Sequence, residues 1–303
     1  MTVDQTTEAV SSRAQNISIH TNTDASLNWP VLLTGMLTML LFPASIHVFM
    51  LNVMHVPPPD SSHVPQWAST LNDACSILAL AVFYQLARPK LARLSLFLQC
   101  LVVSALYATI RQEILGIVMD GVFTTAYAYS FLAEIPELLY CFLVGCLTVL
   151  VILKVQAPRR KTIGAVLMAV VLGGAIRPLL TRLYAPFLKS VSYLGHAPIF
   201  RLPLGWHFLI PAYLLTTEVV VACIVVAALT WPRLSSAPMV RFLQFALIVM
   251  FIKGNVLRFA LYSFYIPFKL SLAFLSESQY FLDWVALSWL TVLTWQVSQR
   301  SES

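Results

Sequence analysis

Eight stretches of the chain are almost wholly apolar: residues 31–54, 68–87, 94–116, 126–155, 163–184, 207–231, 242–265 and 280–297. Each is close to the roughly 20 residues a helix needs to cross ~30 Å of hydrocarbon. None alternates apolar and polar positions over about ten residues, as a barrel strand does. In lipid the backbone bonds within its own segment, so the pattern predicts α-helices. The expected fold class is all-α, a polytopic membrane helix bundle of about eight transmembrane helices, forming one unit over residues 31–297. Trp29, Trp67, Trp206 and Trp231 stand at block ends, where interfacial tryptophans gather. Residues 1–30 are polar and rich in Thr, Ser, Asn and Asp, which predicts a disordered tail; residues 298–303 form a second, short tail.

Composition agrees with this reading. Hydrophobic residues make up 59% of the chain and charged residues 11%, against about a quarter charged in soluble domains. The formal net charge of +6 does not mark a nucleic-acid partner, because the basic residues sit in short loops between apolar blocks. The loops after the second, fourth and sixth blocks carry Arg88, Lys90 and Arg93, then Arg159, Arg160 and Lys161, then Arg233 and Arg241, with no Asp or Glu. The positive-inside rule places these loops in the cytoplasm. An even number of spans then places both termini there, in a cytoplasmic (inner) membrane of bacterial type. That location gives the sequon Asn16-Ile17-Ser18 little weight.

The opposite side has a different charge pattern. Nine acids map to it (Asp60, Asp73, Glu113, Asp120, Glu134, Glu137, Glu218, Glu277 and Asp283). Eight bases share it (Arg111, Arg177, Arg182, Lys189, Arg201, Lys253, Arg258 and Lys269). So near a balance predicts pairing. Arg111, Arg177 and Arg258 lie at one depth, about 26 Å from the basic loop that begins each of their blocks. His47 takes the comparable place in the first block. Two blocks share more: Arg177-x6-Tyr184-Ala185-Pro186-Phe187 matches Arg258-x6-Tyr265-Ile266-Pro267-Phe268 at a spacing of 81 residues, and Lys189 and Lys269 follow. This suggests pseudo-repeated helical hairpins, an architecture in which transporters place their site at the repeat interface. The prolines suit helices that stop at the outer interface.

Lys253 and Glu218 are the deepest charges, each the twelfth residue of its block. A lone charge at that depth costs about 3 kcal/mol on insertion scales, so the two are expected to pair directly or through water. Gly254 and Asn255 weaken the helix after Lys253 and open its backbone to a ligand. In Glu134-Ile135-Pro136-Glu137, the proline removes a donor between two carboxylates. Those carboxylates can carry a proton, bind a cation, or pair with Arg111 and Arg177. Asp73 and Asp283 offer the same choice of proton coupling or structural pairing.

Other chemistry finds no support. Cys75, Cys100, Cys141, Cys146 and Cys223 lie inside apolar blocks without metal-ligand spacing. The six histidines form no HxxH, HxxxH or HExxH motif, and no GxSxG, P-loop or GxGxxG occurs. A haem between His47 and His207 is conceivable, but a satisfied interfacial histidine is the ordinary reading. No cofactor or metal is therefore expected. Three functions compete. The first is a transporter or lipid-handling carrier for an anionic carboxylate or phosphate, bound by Lys253, Glu218, Arg258, Arg177, Arg111 and Asn255. The second is a membrane-embedded enzyme acting on a lipid-linked substrate. The third is a noncatalytic subunit that meets a protein partner through loop 185–206. Membrane lipids are partners under all three.

Overall fold

A computed structural model describes residues 27–123, 126–155, 157–195 and 205–299. Most of the predicted disordered tail, and His196, Phe200 and Arg201 of the proposed partner loop, lie outside these residues. Among the described residues the chain is all helical: α1 (Trp29–Asn52), α2 (Gln66–Leu91), α3 (Leu96–Arg111), α4 (Glu113–Phe123), α5 (Tyr127–Lys154), α6 (Pro158–Val171), α7 (Arg177–Ser190), α8 (Trp206–Thr230), α9 (Pro238–Lys253), α10 (Asn255–Leu261) and α11 (Leu270–Ser298).

Six helical segments are long and apolar enough to cross a membrane: Trp29–Asn52, Gln66–Leu91, Leu96–Val122, Tyr127–Lys154, Arg159–Ser190 and Trp206–Arg233. A seventh candidate is the pair α9 and α10, bent by 77°. The last helix begins ten residues before the apolar block that predicted it. Its added turns carry Ser271, Ser276, Glu277, Ser278 and Gln279, which dilute its apolar character.

Helix starts follow local chemistry. Asn28 accepts the Val31 N–H at 3.2 Å, Ser95 accepts the Leu98 N–H, and prolines open α1, α6 and α9, where the missing N–H costs nothing. Helix α2 is the hub: it packs on α5, α6, α8 and α9, with Ile77, Leu80, Phe83 and Tyr84 wholly buried. Small residues allow close approach. A Cβ on Gly145 would lie 2.6 Å from the Ser104 backbone, and one on Gly35 would strike Thr294.

Helices α1 and α11 run antiparallel over their whole length. The Asn28 N–H donates to the Ser298 carbonyl at 2.8 Å, Thr291 meets Met39, and the His47 and Tyr280 rings lie 4.8 Å apart. Helices α9 and α11 are antiparallel too, since Phe242 meets Trp289 while Lys253 lies over Trp284. Ser298 therefore shares one end of the bundle with Asn28 and the loop carrying Arg233 and Arg241. Lys90 reaches the Ala228 carbonyl at the end of α8, so its loop is there as well.

The two matched 81-residue segments differ in backbone. Pro186 does not end its helix, contrary to expectation: α7 continues through it to Ser190. Pro267 does lie beyond a helix end, after a 3-10 turn over Tyr262–Phe264. The irregularity in the first segment comes earlier, in a π-turn over Leu172–Ile176 that sets Gly173 against Asp73 and Thr70 of α2.

A candidate site at two helix breaks

The deepest charges meet at a break in a helix. Gln112 adopts φ +65° between α3 and α4, a left-handed conformation rare for a residue with a Cβ. Such a break exposes carbonyls on one side and amides on the other, and apolar surroundings make either costly to leave unpaired. Lys253 supplies one side: its Nζ donates to the Arg111 carbonyl at 2.6 Å and to Gln112 Oε1 at 2.7 Å. Glu218 supplies the other: its carboxylate accepts the Ile114 N–H at 3.2 Å and the Leu115 N–H at 2.7 Å. A cation thus caps a carbonyl end and an anion caps an amide end, the favoured arrangement for both. The expected direct pair between Lys253 and Glu218 is absent, because each charge is committed to one end of the break.

Lys253 itself ends α9, at the second break. Gly254 follows with φ +86°, and a Cβ there would lie 2.6 Å from the Asn72 amide. Ser76 donates to the Ile252 carbonyl, which covers that broken end from α2. Asn255 is buried, and its Nδ2 donates to the Tyr280 carbonyl at 3.2 Å, holding α10 on α11. The weak turn read from Gly254-Asn255 is present, with Asn255 committed to this packing contact.

The arginines are also committed. Asp73 bridges two of them: Arg177 Nη1 contacts its oxygens at 2.9 and 2.7 Å, and Arg111 Nη1 lies 3.4 Å away. Arg111 also pairs with Glu113 at 3.1 Å, and Arg177 with Glu137 at 3.0 Å. Their guanidinium groups lie over the Tyr107 and Tyr140 rings. Arg258 lies 3.5 Å from the fully buried Glu277 and over the Tyr280 ring. Arg111 and Arg177 therefore share one cluster, as their common depth implied, while Arg258 belongs to another. Glu134 does not reach an arginine; its side chain hydrogen-bonds to Asp120.

A cavity of about 360 Å³ adjoins the first break. Helices α1, α4, α8 and α11 enclose it, and Gln112 stands in its wall. The other polar lining residues are His47, Asp120, Thr216, Tyr280 and Asp283. Of the ten residues singled out in the sequence, Asp283 alone lines this space. His47 Nδ1 and Asp283 Oδ1 are both buried without a hydrogen-bond partner, so His47 is not the satisfied histidine expected. Sequence reasoning missed Gln112, Asp120, Tyr280 and Trp284. The one available signal was Arg111-Gln112-Glu113, three polar residues in a row within an apolar block.

The near balance of charge also changes. Asp73, Glu113, Glu134, Glu137, Glu218, Glu277 and Asp283 are all at least partly buried, but of the bases only Arg111, Arg177, Lys253 and Arg258 join them. Arg182, Lys189 and Lys269 are exposed. Among the described residues on the side away from the basic loops, seven at least partly buried carboxyl groups thus stand with four such cations. Among the described residues, no group of three or more His, Cys, Asp or Glu side chains is arranged to hold a metal ion. No protein-family model, curated protein or solved structure matches the chain.

Proposed function

We propose that the chain is a multi-pass membrane carrier that moves a small solute through the cavity beside the Gln112 break. One observation carries this reading: two neighbouring spans break, at Gln112, which stands in the cavity wall, and at Gly254, whose neighbour Lys253 caps the Gln112 break. Discontinuous helices in a membrane are tolerated where they are buried in protein or line a cavity, and they recur at the solute sites of secondary transporters. The bend of 77° at Gly254 also supplies a hinge on which α10 and its contacts can move. We further read eight crossings, the bent pair and α11 being the seventh and eighth. The shared position of Asn28 and Ser298 favours an even number. The basic loops at that end favour a cytoplasmic location for both termini.

The test needs no knowledge of the solute. Thr216→Cys, placed in a chain whose native cysteines are replaced by alanine, puts one thiol in the cavity wall. In oriented vesicles a membrane-impermeant maleimide should label it from each side in turn, because a carrier opens to both. Labelling from one side only removes the carrier reading.

A second reading keeps an anionic substrate. Gln66, Ser69, Asp73, Arg177, Thr181 and Arg182 line a separate surface pocket of about 320 Å³. Arg182 is exposed there, and its planar fork suits a phosphate or carboxylate. Lipid phosphate docking at this pocket would fail in Arg182→Ala and persist in Thr216→Cys.

A further inference from the structure

We propose that the cavity beside Gln112 binds a small amphiphilic organic ammonium ion, its charge on Asp283 and its apolar body among Leu51, Leu215, Val219 and Leu287. This assignment rests on the carrier reading for its location and adds the class of solute.

Three observations converge. First, Asp283 Oδ1 and His47 Nδ1 are buried and unpartnered in the wall of one cavity. A buried polar atom without a partner is costly, and both can accept a hydrogen bond when the imidazole proton is on Nε2. A primary ammonium brings three N–H donors, enough for both acceptors. A carboxylate brings acceptors only, and either a carboxylate or a phosphate would set a second negative charge against Asp283. Second, on the side of the bundle away from the basic loops, the described residues include seven at least partly buried carboxyl groups and four such cations. Arg111, Arg177 and Lys253 are hydrogen-bonded to carboxylates or to a helix end, and Arg258 lies 3.5 Å from Glu277, so each already has a counter-charge or a capping role. Two cations approach this wall from behind its aromatic rings: Arg258 lies 5.4 Å from the Tyr280 ring centroid beside Glu277, and Lys253 Nζ lies 5.8 Å from the Trp284 ring centroid and is fixed by Arg111 and Gln112. Carboxyl groups are thus in excess on this side of the bundle, which favours a positive ligand. Third, the rest of the wall is apolar and the volume, about 360 Å³, is within the range of small-molecule sites. A ligand of this shape needs one charged end and one greasy end. An inorganic cation would leave the apolar walls unfilled, and the described residues offer no metal-ligand group.

The test uses the full chain in lipid nanodiscs, with calorimetry against empty nanodiscs, and three probes of one chain length: n-hexylammonium, n-hexanol and hexanoate. Hexylammonium is expected to bind about tenfold or more tighter than either of the others, the scale of one charge-assisted hydrogen bond. Asp283→Asn should lower its affinity by about the same factor. Leu215→Trp, which fills the cavity while leaving the charge, should abolish binding and covers the case in which the first variant does not fold. Hexanoate binding as tightly as hexylammonium overturns the proposal, and so does undiminished hexylammonium binding in either folded variant. The carrier reading fails separately. Tight hexylammonium binding with one-sided labelling of Thr216→Cys keeps the site and removes transport; two-sided labelling without hexylammonium binding does the reverse.

Discussion

Exchanging the two deepest charges should be worse than deleting either. In Lys253→Met, two charge-assisted hydrogen bonds disappear, those to the Arg111 carbonyl and to Gln112 Oε1. Each is worth about 1.5–3 kcal/mol, and the carbonyl is left without a donor. The expected loss is roughly 3–5 kcal/mol, comparable to removing one partner of a buried ion pair. Glu218→Gln keeps one acceptor oxygen for Ile114 and Leu115 but brings an NH2 group to an amide end, at a cost of about 1–3 kcal/mol. The swap Glu218→Lys with Lys253→Glu separates capping from direct pairing. If the two side chains met each other, the swap would restore the pair. Because each caps one end of the same break, the swap sets an ammonium against amides and a carboxylate against carbonyls, and both dipole interactions reverse sign. The swapped protein should therefore be less stable than either single variant. Denaturation of the purified protein in mixed micelles, followed by tryptophan fluorescence, measures all four stabilities. A swap at least as stable as the better single variant refutes the capping argument.

Other expectations follow from the same geometry. Gly254→Ala should cost more than ~2 kcal/mol, read as lost thermal stability, since φ +86° disfavours any Cβ and the Asn72 amide lies 2.6 Å from it. Gly116→Ala, where an added Cβ meets nothing within 4 Å, should be neutral or stabilising by up to about 1 kcal/mol in the same assay. Asp73→Asn should destabilise by roughly 3–5 kcal/mol, because Arg111 and Arg177 both lose a shared counter-charge. Replacing Arg177 with Lys should rescue little, since an ammonium cannot span Asp73 and Glu137 as a guanidinium does; thermal melts of Arg177→Lys and Arg177→Met should differ by less than ~1 kcal/mol.

Hydropathy anticipated the six long apolar helices because lipid imposes one simple requirement, an unbroken apolar stretch of helix. It was least informative where that requirement is relaxed. The apolar run 94–116 conceals the change at Gln112, since a single left-handed residue alters the backbone without altering hydropathy. At Gly254 glycine itself gave the signal, and the structure bends there. Depth counting brought Arg111, Arg177 and Arg258 to one level; the first two do meet, at Asp73, while Arg258 pairs with Glu277. It could not assign partners, because partners depend on helix rotation and neighbour order. That is why Lys253 and Glu218, expected to pair directly or through water, instead cap the two sides of the break between α3 and α4. That His47 and Asp283 share one cavity depends on α1 and α11 lying side by side, which no local pattern encodes.

That pairing joins two helices that leave the ribosome far apart in time. About 220 residues separate Asn52 from Leu270, so at ~5–20 residues per second α1 waits on the order of 10–40 s for its mate. It is suited to waiting: the hydroxyls of Thr38 and Ser45 bond back to their own helix at Thr34 and Leu41, which spares them a partner in lipid. The cavity, two of whose walls are α1 and α11, has no enclosed form until α11 has been made. A nascent chain stalled before residue 270 would hold most of its spans and still have no chamber.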